Sequence, residues 1–160
     1  MLLVIADTSP VRYLVQLGHI DLLHLLFASV TIPTEVAWKL GDPSAPPTVQ
    51  AWIKAPPPWL SVLDEVGNDD PALSNLDPGE RAALALGIAL KADLILIDER
   101  RGYAAAVTKG FEVTGTLGIL DLAAKGKLID LPHAIERLKQ TNFRYRKEII
   151  ERLLAQHRDG

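Results

Sequence analysis

The sequence predicts an α/β protein, a three-layer α/β/α sandwich with a short, mainly parallel central sheet. Short apolar strands alternate with helices along the chain, and parallel strands need crossover connections of this kind, which are nearly always right-handed. Two of the strands run directly into an aspartate, Leu2–Ala6 before Asp7 and Leu94–Ile97 before Asp98. In open sheets of this class, ligands bind beyond the carboxyl ends of the strands.

The amino-terminal part of the chain carries clear start and stop signals. Thr8 offers a capping hydroxyl, Pro10 suits a first helical turn and Gly18 ends the helix. The predicted elements are a strand at Leu2–Ala6, helices at about Pro10–Leu17 and Ile20–Phe27, a strand at Ser29–Ile32, a helix from Pro33 to near Gly41, a helix at Thr48–Ala55 and an edge strand at Leu60–Leu63.

The second part begins with a polar, turn-rich stretch, Gly67–Asn75, which predicts an exposed loop. The elements predicted after it are a helix at Pro78 to about Lys91, a strand at Leu94–Ile97, a helix at Arg101–Lys109, a strand at Phe111–Val113, and helices at Leu117–Lys125, Pro132–Gln140 and Tyr145 to about His157.

Composition places the chain among single-domain proteins. Its 160 residues, nearly half of them apolar, are enough for one good core and too few for two ordinary domains, so we expect one domain over 1–160. The absence of cysteine excludes disulfides and thiolate zinc sites. No basic leader precedes the first strand, and Asp7 interrupts the apolar amino-terminal segment before it reaches a membrane-spanning length. We therefore expect a cytoplasmic protein without a membrane segment.

The net charge of −3 does not by itself suggest a nucleic-acid partner, but the charges are unevenly distributed. Ser61–Glu80 contains six acids and no Lys or Arg, whereas Lys139–Arg158 contains six Lys or Arg and two Glu. Such a basic tail could position a polyanion or could simply solubilise a surface.

Three acids are candidates for chemistry. Asp7 and Asp98 end strands that can be neighbours, and Glu80 lies at the start of the helix that precedes the Asp98 strand. With the hydroxyls of Thr8 and Ser9 they form an all-oxygen set, which suits Mg²⁺ or Mn²⁺ and suits zinc or copper poorly.

Each acid also has a structural explanation. Asp7 and Asp98 could cap the helices that follow them, and Glu80 could pair with Asp77 in a capping box. Two strand-end aspartates in one sheet would nevertheless place like charges close together, which is unfavourable unless a cation neutralises them or one carboxyl keeps its proton. Their coincidence favours a metal.

Five segments in register resemble the PIN domain. They are Ala6–Pro10, Ile32–Pro33 with Val36, Leu76–Glu80 with Ala82–Ala83 and Leu86, Leu96–Gly102, and Val113–Gly118. More narrowly, their order resembles the toxin ribonucleases of toxin–antitoxin pairs, the virulence-associated protein C type. The resemblance covers a core of about 2–128, followed by C-terminal helices at about 132–158.

The resemblance implies an endoribonuclease that uses Mg²⁺ or Mn²⁺ to hydrolyse RNA phosphodiester bonds. It implies Asp7, Glu80 and Asp98 as catalytic residues and metal ligands, an RNA substrate, an antitoxin partner and a homodimer. The supporting residues expected around the acids are Thr8, Ser9, Glu35, Glu99, Thr114 and Thr116.

The sequence departs from the family pattern in two places. Many relatives carry a Glu two turns into the helix after the second strand, where this chain has Lys39. Glu35, one turn earlier, is either its substitute or an ordinary first-turn acid. Many relatives also carry an Asp after the last strand, where this chain has Thr114, Gly115 and Thr116. These departures favour an alternative function, a catalytically weakened RNA-binding or protein-interaction module.

Further side chains suggest contacts with RNA or with partners. Arg100, Arg101 and Lys109 are candidates for phosphate contacts, or are solvated helix charges. The three tryptophans could stack bases but are expected to pack the proline-rich section onto the body. The apolar stripe of the tail could dock on the protein's own core or bind a second subunit or an antitoxin; it comprises Tyr145, Ile149, Ile150, Leu153 and Leu154.

Overall fold

The fold was obtained as a computed structural model, which describes residues 2–64 and 67–158. The strands in these segments are β1 (Val4–Ala6), β2 (Val30–Pro33), β3 (Leu60–Leu63), β4 (Leu94–Leu96) and β5 (Glu112–Thr114). The helices are α1 (Thr8–Leu17), α2 (Leu22–Phe27), α3 (Thr34–Leu40), α4 (Pro47–Lys54), α5 (Pro78–Leu90), α6 (Arg100–Thr108), α7 (Thr116–Lys125), α8 (Leu131–Lys139) and α9 (Lys147–Gln156). The domain boundaries predicted at 1–160 include positions outside the described segments and stay a prediction.

The strands form one sheet in the order β3-β2-β1-β4-β5, and every pairing in the described residues is parallel. The predicted α/β class is therefore confirmed. β1 lies at the centre, paired in register with β4 from Val4 opposite Leu94 to Ala6 opposite Leu96. The carboxyl ends of these two strands consequently meet at the same edge of the sheet.

Helices cover both faces of the sheet, which gives the three predicted layers. Because side chains alternate along a strand, Val4 and Ala6 face one apolar cluster, which includes residues of α1, α7 and α8. Ile5 faces the other cluster, which Leu84 of α5 and Ala106 of α6 complete. The apolar runs of β1, β2 and β4 are thus largely buried on both sides, as expected for the inner strands of a parallel sheet, whereas the edge strands β3 and β5 are mostly exposed or half-buried.

The segment Gly67–Asn75 differs from its prediction as an exposed loop. Its flanks are exposed, but Pro71–Leu73 forms a 3₁₀ turn and Leu73 is 0% exposed. The Asp70 carboxylate accepts a hydrogen bond of 2.9 Å from the backbone N–H of Ala72, which stabilises the turn and directs Leu73 into the core.

The tryptophans divide into two groups. Trp52 and Trp59 are half-buried and contact each other with ring centroids 6.1 Å apart, as the packing prediction expects. Trp38 is 68% exposed, so the prediction is wrong for this residue. It occupies the outer side of α3, whose inner side buries Val36 and Leu40.

The apolar stripe of the tail is split by the fold. Ile150 and Leu153 are buried against the protein's own core, whereas Tyr145 and Ile149 are exposed. The last helix starts at Lys147 rather than at Tyr145, so Tyr145 belongs to the connection between α8 and α9. None of the helices in the described segments combines the length and the apolar character needed to cross a membrane.

Candidate functional site

The carboxyl edge of the sheet brings Asp7 and Asp98 together. Asp7 immediately follows β1, and its backbone N–H donates to the carbonyl of Leu96 at the end of β4, at 2.8 Å. Asp98 follows β4 by two residues. Glu80 reaches the same region from the first turn of α5, which packs against β1.

Asp7 is a buried carboxylate without enough partners. It is 3% exposed, occupies the N-cap position of α1 without making a side-chain capping bond, and its Oδ1 is buried without a hydrogen-bond partner. Burial raises the pKa of Asp7 from 3.8 to about 7, and the nearby carboxylates of Asp77 and Glu80 add to this effect, while the Thr8 amide and Lys39 oppose it. The capping explanation for Asp7 is therefore wrong.

Glu80 has the structural role that its spacing from Asp77 suggests. The Asp77 carboxylate accepts from the Glu80 N–H at 2.8 Å, and Glu80 Oε2 accepts from the Asp77 N–H at 3.1 Å, which completes a capping box. Glu80 is also buried, and this burial raises its pKa, with Asp77 and Glu99 contributing further. It therefore adds negative charge beside Asp7 while it caps α5.

Asp98 is held by neutral donors. Its Oδ1 accepts from the Thr116 N–H at 2.7 Å, and its Oδ2 accepts from the hydroxyls of Ser9 and Thr116, each at 2.7 Å. Gly115 permits this approach, because a Cβ at that position would lie 2.6 Å from Asp98 Oδ1. Asp98 thus bonds to the start of α7 and does not cap α6, whose N-cap is Glu99.

A ready-made cluster of three carboxylates is not formed. Across residues 2–64 and 67–158, no three histidine or acidic side chains are placed so that they could hold one metal ion. Asp7, Glu80 and Asp98 therefore share one edge of the sheet without converging on one point, and their joint role as metal ligands stays a prediction. The reason is that Glu80 is engaged in capping α5 and Asp98 is turned towards Thr116 and Ser9.

Lys39 occupies the acidic edge. Its Nζ lies 3.1 Å from Asp77 Oδ1, and Lys39 and Asp7 line the same cavity of about 390 Å³. Both also lie within 3.3 Å of the position that a Cβ on Gly79 would take, so the glycine leaves room for this ammonium beside the buried carboxylate. Glu35 is half-buried with Oε2 unpartnered, and among the described residues it is not part of the cavity lining. The structure does not bring Glu35 to the place of the missing acid.

A second cavity, of about 900 Å³, adjoins the first and contains Asp98. The two cavities share Ser9, Tyr13 and Glu99 in their linings, so they lie side by side along the carboxyl edge and are together called the cleft. Thr114 also lines the second cavity.

The predicted phosphate contacts are separated by the fold. Arg100 lines the cavity of Asp98, and Arg101 is exposed beside it on α6. Lys109 lies past the far end of α6, just before β5, and forms an ion pair with Asp70. Because residues that precede parallel strands lie at the opposite edge of the sheet from the acids, Lys109 is not at the site.

Sequence reasoning missed several residues of the cleft. Arg12 lies one turn into α1 and lines the Asp7 cavity. The sequence feature that could have identified it is a cationic residue soon after the strand-end acid. Arg144, Tyr145 and Arg146 line the Asp98 cavity, and they could not be placed there from the sequence because the connection between α8 and α9 is positioned by long-range contacts.

Among the described residues the sheet is all parallel with acids at its carboxyl edge, which is the edge where open α/β sheets generally bind ligands. A family model described as "PIN domain" matches residues 3–159, and the chain therefore belongs to the PIN-domain family. PIN domains are generally nucleases. No curated protein and no solved structure matched the chain.

Proposed function

We propose that this protein is a metal-dependent endoribonuclease that hydrolyses RNA phosphodiester bonds and acts as the toxin of a toxin–antitoxin pair. The observation that carries the catalytic part is the Asp7 carboxylate, buried at the end of the central strand with Oδ1 unpartnered. A buried carboxyl in a cleft whose pKa is raised by its surroundings is a common property of functional sites.

The donor set fits Mg²⁺ or Mn²⁺ in its chemistry. Asp7 and Asp98 are the proposed ligands, Glu80 is a further ligand or a water-orienting group, and all of these donors are oxygens, which hard cations prefer. Burial raises the pKa of Asp7, the repulsion from Asp77 and Glu80 adds to this effect, and a cation would relieve that repulsion. When bound, such an ion supplies positive charge and Lewis acidity for the hydrolysis of a phosphodiester.

The protein's own side chains have separate roles in this proposal. Ser9 and Thr116 fix the orientation of Asp98 through their hydroxyls. Lys39 and Arg12, which line the Asp7 cavity, place positive charge where a phosphate would be held. In the reaction, a water oxygen bonds to phosphorus, the bond from phosphorus to O3′ breaks, and a proton passes to the leaving oxygen.

Cleavage of labelled RNA by the purified chain tests the proposal. The wild-type protein is expected to cut in Mg²⁺ or Mn²⁺ and not in EDTA, while Asp7→Asn and Asp98→Asn lose at least about a hundredfold in rate, since even outer-shell changes at metal sites reach that size. Asp42→Asn is the matched control, because Asp42 lines the same cavity but accepts its hydrogen bonds from Ser44. Equal cleavage by wild type and Asp7→Asn would refute the catalytic role.

The biological role is proposed from the resemblance of the motifs to toxin ribonucleases. We propose that the protein works in the cytoplasm, is a homodimer and is inhibited by an antitoxin protein. Growth arrest on expression of the wild-type chain, absent with Asp98→Asn and relieved by the product of a neighbouring gene, would support this role. Unaltered growth on expression of the active nuclease would contradict it.

A second candidate function is a PIN-like RNA-binding or protein-interaction module without catalysis. The ion pair of Lys39 with Asp77 favours it, because an ammonium at the acidic edge competes with a metal ion for the same carboxylates. RNA binding that survives in Mn²⁺ without any cleavage would select this function over the first.

A further inference from the structure

Lys39 places its ammonium among the carboxylates at the acidic edge. Its Nζ lies 3.1 Å from Asp77 Oδ1, and it also lies 3.1 Å from the position that a Cβ on Gly79 would take. Asp7 Oδ1 lies 3.3 Å from that same position, so the ammonium and the Asp7 carboxylate are separated by less than twice this distance. Burial raises the pKa values of Asp7 and Glu80, and the positive charge of Lys39 opposes this effect on both carboxyls. One ammonium therefore acts on three acids.

The packing of α3 against α5 holds this side chain in place. Lys39 lies in the last turn of α3, whose inner side buries Val36 and Leu40, and its side chain is half-buried. Opposite it, in the first turn of α5, is Gly79, where a Cβ would lie 3.3 Å from Cε of Lys39. The glycine thus leaves room for the stem of the lysine as well as for its charge. The fold therefore positions this ammonium at the edge.

The lysine changes the charge of the edge by as much as a metal ion would. The PIN domains that the sequence resembles often carry glutamate at this position, and an exchange of glutamate for lysine raises the charge by two units, the charge of one divalent cation. Nucleases commonly hold two such ions side by side. In this chain Asp77 and Glu80 are engaged in the capping box of α5, and Asp77 also contacts Lys39, so few carboxylate oxygens are left for a second ion. The charge and the donors together favour a single ion.

We propose that Lys39 is a built-in cation that takes the place of one of two divalent ions, so that the chain binds one Mg²⁺ or Mn²⁺ rather than two. The ammonium balances the Asp77 side of the edge, and the divalent ion is bound at Asp7 and Asp98. The proposal rests on the proposed nuclease function, which assigns the ion to these two acids. Lysine suits this role because its ammonium is a compact point charge with three donors. Part of the positive charge at the edge is thus independent of the concentration of free metal.

The number of bound ions tests this proposal without RNA. Mn²⁺ alone is titrated into the metal-free protein, and the bound ions are counted by calorimetry and by electron paramagnetic resonance of the free Mn²⁺. Ions are assigned to the edge by their loss in Asp7→Asn. Wild type is expected to bind one Mn²⁺ at the edge, and Lys39→Glu, which supplies an acid in place of the ammonium, is expected to bind two.

Three further variants separate the charge of Lys39 from its other properties. Lys39→Arg keeps the charge and is expected to keep the single ion. Lys54→Glu is the matched control, because it makes the same charge exchange at an exposed position of α4, and it is also expected to keep one ion. Lys39→Met removes one charge and is expected to bind Mn²⁺ about threefold more tightly than wild type, since this is half of the change, in free energy, of an exchange that alters affinity about tenfold. Circular dichroism verifies that each variant is folded.

Two Mn²⁺ ions at the edge of the wild type, or a single ion in folded Lys39→Glu, would overturn the proposal. Where Lys39→Glu does not fold, an unchanged affinity of Lys39→Met overturns it instead. Cleavage of RNA is assayed separately on the same proteins. One ion in the wild type and two in Lys39→Glu, without cleavage by either, would support the built-in cation and refute the nuclease. Cleavage by a wild type that binds two ions would support the nuclease and refute the built-in cation, and no Mn²⁺ binding by the wild type would refute both.

Discussion

Replacing Asp7 by Asn tests whether burial of this carboxylate opposes folding at neutral pH. Burial raises the pKa of Asp7 from 3.8 to about 7, so the folded state holds a proton between these values that the unfolded state has released. The wild-type protein therefore loses stability as the pH rises through this window, because the folded state binds more protons than the unfolded state. The Asp7→Asn variant carries no titratable group at this position, so its stability does not fall in this way as the pH rises.

The size of the effect follows from the two pKa values. At about 1.4 kcal/mol per pKa unit, the full difference corresponds to about 4 kcal/mol, of which about 2.5 kcal/mol falls between pH 5 and pH 8. An unsatisfied buried amide would reduce the stability of Asp7→Asn by about 1–3 kcal/mol. That penalty is the same at both pH values, so it cancels when they are compared.

Urea unfolding followed by circular dichroism in EDTA, at pH 5 and pH 8, measures the effect. The stability of Asp7→Asn relative to wild type is expected to be more favourable at pH 8 than at pH 5 by about 2–3 kcal/mol, or about 5–10 °C in Tm for a domain of this size. Asp42→Asn is the control, since hydrogen bonds from Ser44 lower the pKa of Asp42 and keep it ionised at both pH values. The same relative stability of Asp7→Asn at pH 5 and pH 8 would refute the reasoning.

Two further predictions concern the neighbours of the acids. Lys39→Glu exchanges an ammonium for a carboxylate at the acidic edge and is expected to tighten Mn²⁺ binding about tenfold in calorimetric titrations. Lys54→Glu, an exposed change on α4, is the control. A Mn²⁺ affinity of Lys39→Glu no higher than that of the control would contradict the prediction. Gly115→Ala places a Cβ 2.6 Å from Asp98 Oδ1 and is expected to lower the free energy of unfolding by about 1–3 kcal/mol and to slow RNA cleavage. The control Gly67→Ala, whose Cβ meets no atom within 4 Å, is expected to change neither. Normal stability and activity of Gly115→Ala would show that the position of the Asp98 carboxylate is not constrained.

The strand-end acids were predictable because their signal is local. An apolar run that ends in an aspartate fixes both the strand and the position of the acid at its carboxyl end, and parallel pairing then places Asp7 and Asp98 at one edge. The capping box was predictable for a similar reason, since Asp77 and Glu80 lie three residues apart in the first turn of one helix.

The partners of these acids were not predictable in the same way. Asp98 bonds to Thr116, which lies 18 residues further on, and this depends on the pairing of β4 with β5 rather than on a cap for α6. The spacing of Lys39 from Pro33 showed that an acid was missing, but its contact with Asp77 depends on how α3 packs against α5.

The sequence alone determined the α/β class, the order of strands and helices, and the acids that end the central strands, because these follow from hydrophobic periodicity and from residues a few positions apart. The tertiary structure decided which carboxylates remain unpartnered, where Lys39 lies, and that the tail completes a groove beside Asp98. The contact of Tyr13 with Asn142 spans 129 residues. Such contacts form only when the layers pack, since their geometry depends on the relative placement of whole elements rather than on local spacing.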